Sequence, residues 1–240
     1  MGFFSLGICV HNEAESISRM LNSVFGSNAW KTNDGKREIV ICANGCTDNS
    51  VEIIKQIQTK HPEIKLIESP VKSKNAAWNL VVFAVNPQAE NLFFADADVL
   101  IKRKSFDILE NALRKNHGLQ IVGGQVIPTV ANIKAKDFYS RDVAAFSKIL
   151  RDAGAKTLMG GFYAIRTSAA RGLKMPEDPR IMDDQFLALH FKGKWSIVPK
   201  AIFYARFPDF NNPKKSTAFR QWFKRGFLSV DGIRHPSFTA

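Results

Sequence analysis

The stretch FFADADVLIK, residues 93–102, sets two carboxylates one residue apart directly behind an apolar run. Phe93, Phe94 and Ala95 read as the end of a buried strand, where like charges are costly. Residues two apart in an extended segment point to one side, so Asp96 and Asp98 can face one ion. Hard divalent cations such as Mg2+ and Mn2+ take oxygen ligands and complete their shells with substrate phosphates. Taken alone, a D-x-D pair is more simply a solvated acidic turn. Its place in the chain decides between the two readings.

Upstream, short apolar runs alternate with helical patterns. FFSLGICV (3–10) reads as a strand, followed by Ile17, Met20, Leu21 and Val24 at helical spacing. REIVICA (37–43) is a second strand, and TDNSVEIIKQIQTK (47–60) a helix capped by Thr47 or Asp48 with Val51, Ile54 and Ile57 on one face. IKLIES (64–69) is a third strand, and Ser73 can cap a helix carrying Ala77, Leu80, Val81 and Ala84. NLFFAD (91–96) and the helix FDILENALRK (106–115) close this half. The alternation predicts a mostly parallel α/β sheet, with ligands bound outside the carboxyl ends of its strands.

After residue 118 the rhythm changes. LQIVGGQVIPTV is strand-like, and 134–151 has helical spacing with Phe138, Val143, Phe146 and Leu150. LMGGFYAIR (158–166) is a strand, DDQFLALHFK (183–192) a helix, and WSIVPKAIFYAR (195–206) extended. With no internal repeat or low-complexity linker, residues 1–205 form one domain with halves 1–118 and 119–205. Residues 206–240 form a basic and aromatic extension, whose KKSTAFRQWFKRGFLSV reads as a helix across the domain or on a surface.

The chain has 240 residues, 45% hydrophobic and 23% charged, an ordinary globular composition. Its 34 Lys and Arg against 22 Asp and Glu give a net charge of +12, which favours anionic partners. Cys9, Cys42 and Cys46 are an odd count without a nearby His to complete a zinc set. They read as reduced, buried thiols, hence a cytoplasmic chain. MGFFSLGICV (1–10) is too short to span a bilayer and lacks a signal peptide's charged start. No apolar run approaches the ~20 residues of a membrane helix, so the chain is expected to be soluble or peripheral on the inner face of a membrane.

Polar residues gather at the predicted strand ends. Strand one ends in Val10-His11-Asn12-Glu13, strand two in Ala43-Asn44-Gly45-Cys46-Thr47-Asp48, and strand four in Asp96-Ala97-Asp98. All three lie on one edge of the sheet. Asp48 is explained as a helix cap, whereas Asn44 offers a carboxamide able to read a base edge. Lys72 and Lys74 could meet phosphate; as isolated lysines of a basic chain they read more simply as solvated.

Five segments then carry a resemblance: VHNEAESISRMLNSV, ICANGCTDNSVEII, FFADADV, MGGFYAIR and MDDQFLALHFKGKW. In order and spacing, over residues 3–205, they resemble the family 2 glycosyltransferases of GT-A fold, a Rossmann-like sheet flanked by helices. The resemblance implies that Val10, Asn12, Glu13, Asn44 and Lys74 border a nucleoside-diphosphate sugar, with a UDP-sugar the expected donor. It implies that Asp98, with Asp96, holds Mg2+ or Mn2+ against the diphosphate. Ala43 stands where the family has an acidic residue, which leaves the base open. Two acidic pairs are available for catalysis. Glu177 and Asp178 lie between prolines, whereas Asp183 and Asp184 open an apolar helix as the family's pair does. Asp184 is therefore the expected base, and a helix start that favours negative charge explains the same residues structurally.

The implied reaction is an inverting transfer to the hydroxyl of a saccharide or lipid-linked acceptor. Gly160 and Gly161 would let backbone approach the donor sugar, with packing an equal reading. In the extension, RQWFKRG (220–226) resembles a Gln/Arg-Arg-Trp motif of membrane-linked relatives, at altered spacing. Arg220, Lys224 or Arg225 would clamp diphosphate while Trp222 stacks on acceptor; a basic amphipathic helix on an anionic membrane is the structural alternative. A nucleic-acid-binding module would use the +12 charge, but the basic residues are scattered and no such motif is present. A nucleotidyltransferase would need a Gly-rich basic loop where this chain has HNEAES. A non-catalytic scaffold would not need Asp98 and Asp184.

Overall fold

The computed structural model describes residues 2–32, 35–130, 158–178 and 181–207. The helix expected over 134–151 and the extension with Arg220, Trp222, Lys224 and Arg225 lie outside the described residues.

The elements follow in the order β1 (Phe4–Val10), α1 (Ile17–Phe25), α2 (Asn28–Thr32), β2 (Arg37–Asn44), α3 (Ser50–Gln58), β3 (Ile64–Ser69), α4 (Lys74–Ala84) and β4 (Asn91–Asp96). There follow β5 (Leu100–Ile101), α5 (Ser105–Lys115), β6 (Ile121–Val130), β7 (Phe162–Arg166), α6 (Thr167–Arg171), α7 (Asp183–His190) and β8 (Trp195–Phe207). They build an eight-stranded sheet in the order β3-β2-β1-β4-β7-β6-β8-β5. The strands β3, β2, β1 and β4 are parallel, as the alternation requires. β7 runs antiparallel to β4 and β6, and β5 antiparallel to β8, so the sheet is mixed.

Near-continuous apolar runs form these strands because both sheet faces are covered. Along β1, Phe4, Leu6, Ile8 and Val10 face a cluster with Ile17, Met20 and Leu21 of α1, Ile54 of α3 and Phe106 and Leu109 of α5. The other face packs Val40, Cys42, Leu92 and Phe94 against Ala77, Trp78 and Val81 of α4. Gly7 makes that second face possible, since a Cβ there would lie 2.5 Å from Val81 Cγ1 and 2.8 Å from the Phe94 ring. Trp78, Phe94 and Tyr163 stack in series at centroid spacings of 5.4 and 5.3 Å, and the Trp78 indole donates to the Tyr163 hydroxyl at 2.9 Å.

Helix starts obey local chemistry. The Ser73 side chain accepts from the Ala76 amide, as expected of a cap. At α3 the capping carboxylate is Asp48, which accepts the amide and hydroxyl of Ser50. It also accepts the Ala14 amide at 3.0 Å, tying the β1 and β2 turns together. Those bonds outweigh desolvation and lower its carboxyl below the ordinary range. The turn after β2 needs Gly45, whose φ is +63° and where an added Cβ would lie 3.2 Å from the Lys72 backbone. The three thiols are free; Cys42 is buried, while Cys9 and Cys46 are half-buried.

Candidate active site

Parallel pairing aligns the carboxyl ends of the strands. Cys9 of β1 lies opposite Cys42 of β2 and Asp96 of β4, so Val10, Asn44 and Asp96 end on one edge. The Asp96 amide donates to the Gly161 carbonyl at 3.1 Å, which brings the start of β7 to the same edge.

The nucleotide-side residues are tightly braced. Asn12 adopts φ +56°, a left-handed conformation that Asn tolerates better than most residues. Its Oδ1 accepts the Thr47 amide at 2.8 Å, and its Nδ2 donates to Thr47 Oγ1 at 3.1 Å. The Glu13 amide donates to Ser50 Oγ, and its carboxylate accepts the Ser16 hydroxyl. His11 Nδ1 donates to the Asn44 carbonyl at 2.8 Å. Asn44 itself is buried, and its Oδ1 has no hydrogen-bond partner.

At the start of α4, Lys74 stays exposed, as its reading as a solvated lysine expects, but it also gains two carboxylate partners. The cap at Ser73 puts Lys74 in the first turn of α4, and its ammonium reaches Asp96 Oδ1 at 2.8 Å and Asp183 Oδ2 at 3.1 Å. Desolvation opposes its charge, but Asp183 and Asp96 prevail and raise its pKa well above the ordinary value. Lys72 stays exposed. One cation therefore joins the D-x-D turn to the acidic pair, residues far apart in sequence. Spacing alone did not reveal this link; the Ser73 cap at the same sheet edge was the available signal.

Asp183 is buried, and Asp184 beside it is partly buried. Asp184 Oδ2 accepts the Gly160 amide at 3.1 Å, and Oδ1 accepts the Gln185 amide at 2.7 Å. Burial, then the Asp183 charge, push its carboxyl up to about 7, against the lowering effect of Lys74 and those bonds. Asp96 is likewise raised, by burial and by Asp183 and Asp98, with Lys74 opposing. Asp98 is exposed at the lip. The glycines at 160 and 161 are accounted for by packing. A Cβ at Gly160 would lie 3.1 Å from Asp184 Cβ, and one at Gly161 2.5 Å from the Phe203 ring.

The donor set fits a hard divalent cation. Asp96, Asp98, Asp183 and Asp184 are four carboxylates beside one ammonium, Lys74; burial first, and then the neighbouring carboxylates, raise Asp96 and Asp184. Such a cation needs only one or two protein carboxylates beside phosphate oxygens. Among the described residues no group of three or more His, Cys, Asp or Glu is placed to hold a metal ion. Of the alternative pair, Glu177 bonds Lys174 at 3.5 Å on the surface.

Comparison with known proteins agrees with this architecture. The sequence profile of Glycosyl transferase family 2 matches residues 5–171. The chain is 28% identical over 109 residues to dolichyl-phosphate beta-glucosyltransferase ALG5C of Trichomonas vaginalis, covering 43% of this chain and 32% of that one. It is 30% identical over 131 residues to glycosyltransferase AglE of Haloferax volcanii, covering 54% and 41%. It thus spans less than half the length of these curated relatives. Mannosyltransferase PcManGT from Pyrobaculum calidifontis, solved with GDP-Man and Mn2+, superposes with a TM-score of 0.65 at 19% identity, over 87% of this chain and 58% of that one. S. aureus TarS 1-349 in complex with UDP-GlcNAc gives 0.62 at 17%, over 86% and 59%.

Proposed function

Since the chain belongs to glycosyl transferase family 2, we propose that it transfers a sugar from a nucleoside-diphosphate sugar to an acceptor hydroxyl with inversion. The observation that carries this reading is Asp184, held at the strand-end edge with its carboxyl pushed up to about 7. A base poised near neutrality suits removal of a hydroxyl proton. The Gly160 amide bonds one carboxylate oxygen, leaving its second lone pair to meet the acceptor hydroxyl. Asp183, ion-paired with Lys74, keeps its negative charge beside Asp184 and so sustains the basicity of Asp184.

Asp98, assisted by Asp96, would hold Mg2+ or Mn2+. That ion supplies Lewis-acid stabilisation of the charge growing on the departing nucleoside diphosphate. Asn12, Glu13 and Asn44 would line the nucleoside end, with Val10, whose side chain is in the core, offering only backbone; the unpartnered buried Asn44 Oδ1 is suited to accept a ring N–H from a base. A UDP-sugar is the expected donor, and the structural neighbours solved with UDP-GlcNAc and with GDP-Man support nucleotide-sugar chemistry generally. The acceptor is a saccharide or a lipid-linked saccharide, met in the cytoplasm or at the inner face of a membrane. Arg220, Lys224 and Arg225 would contact diphosphate and Trp222 the acceptor. Among the described residues no helix is long and apolar enough to cross a membrane.

The test is nucleotide release from a panel of UDP-, GDP- and dTDP-sugars, with and without Mn2+. Turnover that needs the cation and is lost in Asp98→Ala and Asp184→Ala supports the reading. Equal turnover in both variants overturns the residue roles, and no turnover of any donor overturns the activity.

A further inference from the structure

The segment Met175–Met182 delivers Asp183 and Asp184 to the site, and α4 grips it at both ends. Asn75 is buried at 5% exposure. Its Nδ2 donates to the Pro176 carbonyl at 2.8 Å and to the Ile181 carbonyl at 3.1 Å. One nitrogen thus bonds two carbonyls five residues apart and ties Pro176 and Ile181 to α4. One helical turn on, Asn79 holds the backbone of Met175 both ways, accepting its amide at 2.8 Å and donating to its carbonyl at 3.0 Å.

We infer that Asn75 is a positioning residue, whose amide pinches the 176–181 loop and so fixes the start of α7, with Asp183 and Asp184, against the strand ends. The inference rests on the reading of Asp184 as the base. Three features support it. The Ile181 carbonyl is two residues from Asp183, so little chain intervenes. The neighbouring Lys74 bonds the Asp183 carboxylate, so consecutive residues of α4 hold backbone and side chain of the same helix start. The helix that bears them is itself fixed by buried Ala77, Trp78 and Val81. The pinch also explains which acidic pair reaches the site: Glu177 and Asp178 lie within the loop, and Asp183 and Asp184 follow its closed base.

Asn75→Ala strands two carbonyls and frees the loop. Asn75→Ser retains a donor too short to reach both carbonyls and carries the test if the alanine chain does not fold. Asn79→Ala, which releases only Met175, is the control. The measurement is nucleotide release from whichever of UDP-glucose, UDP-GlcNAc and GDP-mannose the wild-type chain turns over fastest, with hydrogen exchange at the Phe186 amide. That amide donates to the Met182 carbonyl in the first turn of α7. The expected result is a kcat lower by about 10- to 100-fold for both Asn75 variants. Donor KM should stay within about twofold, Phe186 should exchange faster, and Asn79→Ala should lose much less. A kcat within about twofold of wild type, a loss confined to donor KM, or an equal loss in Asn79→Ala overturns the inference. If the wild-type chain turns over none of the donors, the functional reading fails instead, and Phe186 exchange alone decides the pinch.

Discussion

At the scale of single residues, Asp184 is where burial becomes chemistry. Its carboxyl stands at about 7 because burial and Asp183 disfavour its charge more than Lys74 and two amides favour it. A base must be ionised, so kcat/KM for nucleotide release should fall about tenfold per pH unit below about 7. Asp184→Asn should lose about 10²- to 10⁴-fold and erase that limb. The linkage sign gives an independent check. Between the ordinary carboxylate pKa of about 4 and about 7, the folded chain binds a proton that the unfolded chain lacks. Stability from this group is therefore present at low pH and declines as pH rises through that window. Asp184→Asn should accordingly unfold at higher temperature than wild type at pH 8. The sequence disclosed Asp96, Asp98, Asp183 and Asp184 through their positions before or after apolar runs. It did not disclose that Lys74 and Asn75 reach the segment before α7, because Ile181 and Asp183 are more than 100 residues away in the chain.

At the scale of elements, the strands and the helices covering them were legible because each is apolar at its own period. The direction of β7 was not. FYAIR is buried along most of its length, and its apolar pattern carries no direction, so its antiparallel pairing with β4 could not be read from it. β5 pairs only Leu100 and Ile101, too few residues for any pattern. Packing between elements gives a sharper expectation at the glycines. Gly7→Ala would drive a methyl into Val81 and Phe94, and Gly161→Ala into Phe203. Each should cost about 1–3 kcal/mol, read as a lower midpoint in urea with unchanged slope. A variant as stable as wild type would mean that β1 and α4, or β7 and β8, can separate without loss.

At the scale of the whole molecule, a chain of net charge +12 surrounds a site built on carboxylates. The two fields have different tasks. On the proposed function the overall excess of cations would draw a nucleoside diphosphate in, and salt should weaken that attraction over a Debye length. The Kd for UDP in the presence of Mn2+ should rise several-fold between about 50 and 500 mM NaCl; a constant Kd would locate all the attraction inside the site. The stacked rings of Trp78, Phe94 and Tyr163 have a use in this setting. Tyr163 lies in the field of Asp183, and that charge, after desolvation, raises its phenol well above the ordinary value. The Trp78 indole shares a hydrogen bond with that phenol, so neutralising the acidic cluster alters the polarity around an emitting ring. Filling of the site should thus be visible as a change in ultraviolet fluorescence that Trp78→Phe abolishes, a titration signal that requires no label, no coupled enzyme and no knowledge of the acceptor.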